Sequence, residues 1–280
     1  MMTNQDDTTI KNEPKLWLAA LPKLTAKSNK YTRGHTTIIG GYPMTGAARL
    51  SALAAARIGS GLTSLLVPEV AFAIYASALT SIMVKPFDDA ATFNQLIEDA
   101  RITSFLIGPG AGVNDETRAH TLQLLATNRP VVLDADAITV FRGDTDLLTK
   151  HLHANCVLTP HEGEFKRLFT LSENRVLSAQ QAAVSCGAVI VLKGSQTVIA
   201  APDGETIIND NAPPTLATGG AGDVLAGMIA GLMAQGMSAF NAACAAAWMH
   251  GEAAKLFDLG LIAEDLPSLL PTVLQKLHNG

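Results

Sequence analysis

The segment ATGGAGDVLAG, residues 217–227, sets one carboxylate, Asp223, among glycines directly ahead of an apolar run. Glycine-rich turns that open a helix leave backbone N–H groups unpaired at the positive end of the helix dipole, where anions bind well. Two readings of Asp223 stand open from these residues alone. It is an N-cap that fills the site with its own charge, or it belongs to a loop that receives an anionic ligand.

A ligand loop needs other loops brought to the same place. From Thr36 onward, short β-branched or apolar runs alternate with longer helical stretches. The pattern predicts strands at TTIIG (36–40), LTSLLV (62–67), FLIG (105–108), VVLD (131–134), CVLT (156–159), AVIVLK (188–193) and TVIAA (197–201). Helix-length crossovers such as GAARLSALAAARIGSG and NDETRAHTLQLLATN join them. Continuous apolar strands joined in this way predict an α/β fold, with a mostly parallel sheet covered on both faces. After about residue 210 the chain reads as almost wholly helical, rich in alanine and glycine that suit close packing or a subunit interface. In open parallel sheets, ligands bind beyond the carboxyl ends of the strands. The loops expected there are GGYPMTGA (40–47), GPGAG (108–112), DADA (134–137), TPHEGE (159–164) and KGSQT (193–197), each polar or glycine-rich. With the Asp223 loop they form a ring of candidate contacts.

Composition narrows the class. The 280 residues are 48% hydrophobic and 16% charged, enough to bury one large core. The simplest organisation is a single domain over 25–280 preceded by an N-terminal arm, 1–24. A net charge of −5 argues against nucleic-acid and membrane-surface partners, which are met by basic faces. Cys156, Cys186 and Cys244 lie far apart with no C-x-x-C spacing, so neither a disulfide framework nor a zinc site is indicated and a reducing cytoplasm fits. The first fourteen residues, MMTNQDDTTIKNEP, lack the basic-then-apolar order of a signal peptide, and no uninterrupted apolar window of about 18 residues predicts a membrane span.

Six motifs in order, GGYPMTGAARLSALAAARIGSG, IGPGAG, VLDADAI, LTPHEGEFKRL, VLKGSQTVIAAPDG and ATGGAGDVLAGMIAGLMAQG, resemble those of bacterial ADP-dependent NAD(P)H-hydrate dehydratases. The resemblance runs from roughly residue 25 to residue 270. It implies a ribokinase-like three-layer sandwich with a mostly parallel central sheet and a helical C-terminal portion. It also implies a reaction, in which a nicotinamide nucleotide hydrated at C6 (NADHX or NADPHX) returns to NADH or NADPH while ADP becomes AMP and phosphate. Hydroxide leaves poorly and phosphate leaves well, so the hydroxyl would be phosphorylated and then eliminated. In that scheme Asp223 accepts the hydroxyl proton, and the N–H groups of Gly220, Ala221 and Gly222 hold the developing charge. By the same resemblance Ala47, Gly112, His161 and Asp223 contact the hydrated dinucleotide. Lys193, Gly194, Ser195, Gln196, Thr197 and Gly222 contact the adenine nucleotide. The resemblance further implies Mg²⁺ with ADP as co-substrate, a homo-oligomer (a tetramer), a cytoplasmic location, and an NAD(P)H-hydrate epimerase on a separate chain.

Some residues keep two readings. Lys193 either neutralises phosphate or forms a structural ion pair. Asp134, Asp136 and Glu164 either make turn bonds or organise Mg²⁺ through water, and none is assigned as a catalyst or metal ligand. The sequence departs from two patterns: Ala217-Thr218 stands where sugar kinases of the superfamily carry Asp-Thr, and Tyr42 stands where a serine is more usual. The rivals are a ribokinase-like kinase of a small vitamin-precursor alcohol, marked by a phosphorylated product that accumulates, and a non-catalytic nucleotide-binding protein. A dinucleotide dehydrogenase fits poorly, because no G-x-G-x-x-G follows the first strand.

Overall fold

The computed structural model describes residues 10–279. Its ten strands are β1 (Ile10–Lys11), β2 (His35–Ile39), β3 (Leu62–Pro68), β4 (Met83–Phe87), β5 (Ser104–Ile107), β6 (Val131–Leu133), β7 (Cys156–Leu158), β8 (Val189–Leu192), β9 (Thr197–Ala200) and β10 (Thr206–Asn209). They form one sheet in the order β1-β10-β9-β8-β7-β6-β5-β2-β3-β4. Only β9 runs against its neighbours β8 and β10; every other pairing is parallel. The strand order reverses between β2 and β5, the position at which open α/β sheets bind ligands.

Period-two alternation splits the strands' apolar residues between two cores. Ile38, Leu65, Leu106, Val132 and Val157 face one layer of helices, and their chain neighbours Ile39, Leu66, Ile107, Leu133 and Leu158 face the other. The first layer contains α1 (Thr45–Arg57), α2 (Phe72–Ala78) and the C-terminal helices α9 (Ala221–Ala234), α10 (Ala239–Phe257) and α11 (Leu266–Asn279). The second contains α3 (Ala90–Ile97), α4 (Asp115–Ala126), α5 (Asp136–Thr139), α6 (Thr145–Thr149), α7 (Glu162–Leu168) and α8 (Arg175–Cys186). The result is the three-layer α/β sandwich that the sequence implied.

The seven strands read from the sequence are all present, shifted by a residue or two at their ends. Three more, β1, β4 and β10, lie toward the sheet's two edges. The segment expected as an arm is packed where it is described, while its residues 1–9 lie outside the described residues. Ile10 pairs with Ile207 on the sheet edge, and Trp17 is 1% exposed. The Trp17 Nε1 donates to Asn12 Oδ1 at 3.0 Å, and its ring tilts against Trp248. Burial of one such ring is worth about 2–3 kcal/mol. The alanine and glycine of α9 go into core packing. A side chain begun at Gly227 would lie 2.2 Å from the Ser51 carbonyl oxygen, so α1 and α9 touch backbone to backbone there.

Candidate active site

The loops after β2, β5, β6, β7 and β8 meet at one rim of the sheet, joined by the turn that opens α9. Asp134 directly follows β6 and is 1% exposed. Its Oδ1 accepts from Thr159 Oγ1 at 2.7 Å, beyond β7, and from Lys193 Nζ at 2.8 Å, beyond β8. A buried carboxylate is tolerated when paired and hydrogen-bonded in this way. Burial opposes the charge on Lys193, but the carboxylates of Asp134, Glu164 and Asp223 outweigh it and hold the ammonium above the usual lysine range. Lys193 therefore does form an ion pair, and it also reaches toward the glycine turn: its Nζ lies 3.3 Å from where a side chain at Gly222 would begin.

Between the two aspartates, Ala135 adopts φ +46° and ψ −110°, a region that costs a non-glycine residue about 1–3 kcal/mol. The turn sends its carboxylates to different partners, Asp134 to Lys193 and Asp136 to the N–H of Gly112 at 2.8 Å. Gly108 makes the close approach possible. With φ +127°, a side chain there would begin 1.7 Å from the Asp134 carbonyl oxygen.

His161 caps α7. Its Nδ1 accepts from the Glu164 N–H at 3.1 Å, and Glu164 Oε2 accepts from the His161 N–H at 2.9 Å, a reciprocal capping box. The ring's other nitrogen, Nε2, lies 3.4 Å from Glu164 Oε1. His161 also forms a parallel bridge with Lys193, which fastens the histidine turn to the lysine strand end. From α8, Arg175 donates to the carbonyls of Lys193 (2.9 Å) and Gln196 (2.7 Å) and pairs with Glu162 at 3.1 Å. Nothing in the motifs marked Arg175; its signal exists only once α8 is laid beside the loop.

Asp223 is the third residue of α9, and the residue in the N-cap position, Gly220, makes no side-chain cap. The capping reading of Asp223 is thereby settled against: its carboxylate accepts no hydrogen bond among the described residues. The N–H groups of Gly222 and Asp223 are likewise not spent on a loop carbonyl among the described residues, whereas Ala221 N–H makes a long 3.4 Å bond to Thr218. Burial foremost, with the charge of Asp134 next, pushes the Asp223 carboxyl up to about 6, against the pull of Lys193. Ser51 Oγ lies 2.8 Å from the Asp223 carbonyl and 3.1 Å from that of Ala47, linking the first turns of α9 and α1.

The residues singled out at the outset thus converge: Ala47 through Ser51, Gly112 through Asp136, His161 through Lys193, and Gly220, Ala221 and Gly222 through the opening of α9. Beside them lies a cavity of about 140 Å³, bordered by Lys193, Gly194, Thr197, Ala221 and Gly222 and walled by Ala212, Leu216, Leu225 and Ala247. Ser195 and Gln196 are exposed on the turn outside it. His250 of α10, which no motif reading picked out, also borders it.

The sheet order, the two helical layers and the glycine turn at the start of α9 define a ribokinase-like α/β protein. The chain belongs to the NAD(P)H-hydrate dehydratase family, whose sequence pattern matches residues 36–276. It is similar to the ADP-dependent (S)-NAD(P)H-hydrate dehydratase of Neisseria meningitidis, 37% identical with 81% of this chain and 78% of that protein covered. It is also similar to the bifunctional NAD(P)H-hydrate repair enzyme of Salinibacter ruber, 40% identical over 87% of this chain and 48% of that protein. The chain thus spans about half the length of that curated relative and of a second from Moorella thermoacetica. Among solved structures, the ADP/ATP-dependent NAD(P)H-hydrate dehydratase of Bacillus subtilis, co-crystallised with ATP and Mg²⁺, superposes with a TM-score of 0.83 at 28% identity, covering 97% of this chain and 99% of that one.

Proposed function

We propose that this chain dehydrates (6S)-NADHX and (6S)-NADPHX to NADH and NADPH, converting ADP to AMP and phosphate. The observation that carries the reading is Asp223, an acid held up to about 6 at a helix start, close to Lys193 and beside the cavity of about 140 Å³. ADP lies with its base in the cavity and its phosphates toward Lys193 and the Gly220–Gly222 turn. Asp223 takes the proton of the C6 hydroxyl as that oxygen attacks the β-phosphorus; the new O–P bond forms as the bond to the AMP oxygen breaks. The unspent N–H groups at the start of α9 and the Lys193 ammonium hold the charge that develops. In the second step the C6–O bond breaks, phosphate leaves, the ring nitrogen's lone pair supports C6, and loss of a C5 proton restores the double bond. Ala47, Gly112 and His161 contact the dinucleotide, with Gly194, Ser195, Gln196 and Thr197 on the nucleotide's side.

Mg²⁺ fits this rim as a phosphate-bound ion. Such an ion keeps several of its waters and needs only one or two carboxylates beside the phosphates. Asp136 and Glu164 are the carboxylates that would hold it, and it would neutralise charge on the ADP phosphates. No helix among the described residues is long and apolar enough to cross a membrane. A cytoplasmic homotetramer, working with an NAD(P)H-hydrate epimerase as its functional partner, completes the proposal.

The test is direct. Purified protein mixed with hydrated NADH, Mg²⁺ and ADP should restore the dihydronicotinamide absorbance and release AMP in equal amount. No recovery with ADP or ATP contradicts the reading, and accumulation of a phosphorylated hydrate in its place would favour a simple kinase.

A further inference from the structure

The polar side chains around the cavity are accounted for with one exception. Lys193 is paired with Asp134, and Thr197 Oγ1 donates to the Gly194 carbonyl at 3.4 Å. The amide of Asn209 is shared among Asn12 (2.9 Å), Asn211 (2.9 Å) and the Ala247 carbonyl (3.4 Å). His250 is 7% exposed, and its Nε2 has no hydrogen-bond partner among the described residues. It stands in the middle of α10, in the Ala-rich run AAAWMHGEAA, and borders the cavity. Burial, with some help from the Lys193 charge and against the Ala221 carbonyl, lowers the imidazole to about 4, so the ring is neutral at physiological pH.

A buried nitrogen left without a partner is less stable than one that is hydrogen-bonded. Apolar core packing would be served better by leucine or phenylalanine at this place. Apart from Lys193, Thr197 and Asn209, whose polar groups are already engaged, the rest of the cavity wall is small and apolar, suited to the faces of a flat heterocycle.

We propose that His250 is the residue that reads the nucleotide's base, its imidazole hydrogen-bonding the edge of the purine and so selecting adenine nucleotides over pyrimidine ones. The inference rests on the reading of this cavity as the ADP site. A site built to hydrogen-bond a ligand edge discriminates strongly, because the wrong ligand leaves a buried polar atom unpaired.

The experiment is calorimetric titration of the full chain and its His250→Phe and His250→Gln variants with ADP, CDP and inorganic pyrophosphate, each with Mg²⁺. The wild type should prefer ADP to CDP. His250→Phe, similar in size but without the nitrogen, should weaken ADP at least ~10-fold, close the gap to CDP, and leave pyrophosphate within about twofold, the size of loss expected for one hydrogen bond at a desolvated site. His250→Gln should restore part of the preference. An ADP-to-CDP ratio unchanged by His250→Phe overturns the inference while leaving the ADP site intact. A wild type that binds neither ADP nor pyrophosphate overturns the ADP site and the inference with it. If the variants fail to fold, nitrogen-15 spectra of the wild-type imidazole decide: a His250 ring-nitrogen resonance must move with ADP and stay with pyrophosphate, and an imidazole indifferent to ADP overturns the proposal.

Discussion

On one face of the sheet α1 and α9 meet through alanine and glycine, whereas on the other the helices are held by large rings. The first face packs Ala48, Ala52 and Ala55 of α1 with Ala226 and Ala230 of α9, with Gly227 set against the Ser51 backbone. The second buries Phe87, Phe93, Phe105, Phe141 and Phe165, with Phe93 stacked on His120 at 3.8 Å between centroids. Side chains that interdigitate can repack around a change in volume, but two backbones in contact cannot. Asp223 belongs to the helix with the least freedom. The groups that reach the rim from the ring-packed face, His161, Glu164 and Asp136, are instead held by hydrogen bonds. The acid is therefore placed by packing, and its surroundings are placed by polar networks.

The largest effect should come from cutting the tie that fastens the rim to the start of α9. Lys193→Met leaves Asp134 buried and unpaired, and urea unfolding should show a loss of about 3–5 kcal/mol, most of it recovered in the double variant Asp134→Asn, Lys193→Met. Next comes the backbone contact: Gly227→Ala should cost about 2–3 kcal/mol and, by pushing α9 off α1, depress turnover as well. On the ring-packed face, Phe93→Leu should cost about 1–2 kcal/mol with turnover unchanged. An equal loss of turnover from Phe93→Leu would break the contrast between the faces.

The smallest change tests the electrostatics. The Asp223 carboxyl titrates near 6 folded against an ordinary value of 3.8, so the folded chain holds this proton more tightly, and stability falls as pH rises through that window. Asp223→Asn should therefore stabilise the chain by about 1 kcal/mol at pH 7.5, after solvent screening, and not below pH 4. Because the ionised form is the base, kcat/KM should rise with pH through about 6 and then level off. A profile that falls across this range would remove Asp223 as the base.

Much of this arrangement was legible in the chain. β5, β6, β7 and β8 are apolar on both faces and read as buried strands, and the loops after them are the ones that converge. β4 escaped because Pro86 interrupts its pattern, which an edge position tolerates. β10 is four residues closing a short turn from β9, and β1 is two residues whose strand character comes only from pairing with β10. At the site, Asp223, Lys193 and His161 stand in recognisable turns. Arg175 and His250 sit inside helices where spacing carries no sign of a loop beside them, although a lone histidine in an alanine-rich run was a signal open to reading.

The central claim is that Asp223 acts as a base and not as a structural acid. Steady-state turnover of hydrated NADH with ADP, measured for Asp223→Asn beside calorimetric ADP binding, addresses it most directly. The account predicts turnover reduced at least ~100-fold with ADP affinity kept within a few-fold; turnover close to wild type in a variant that still binds ADP would contradict it.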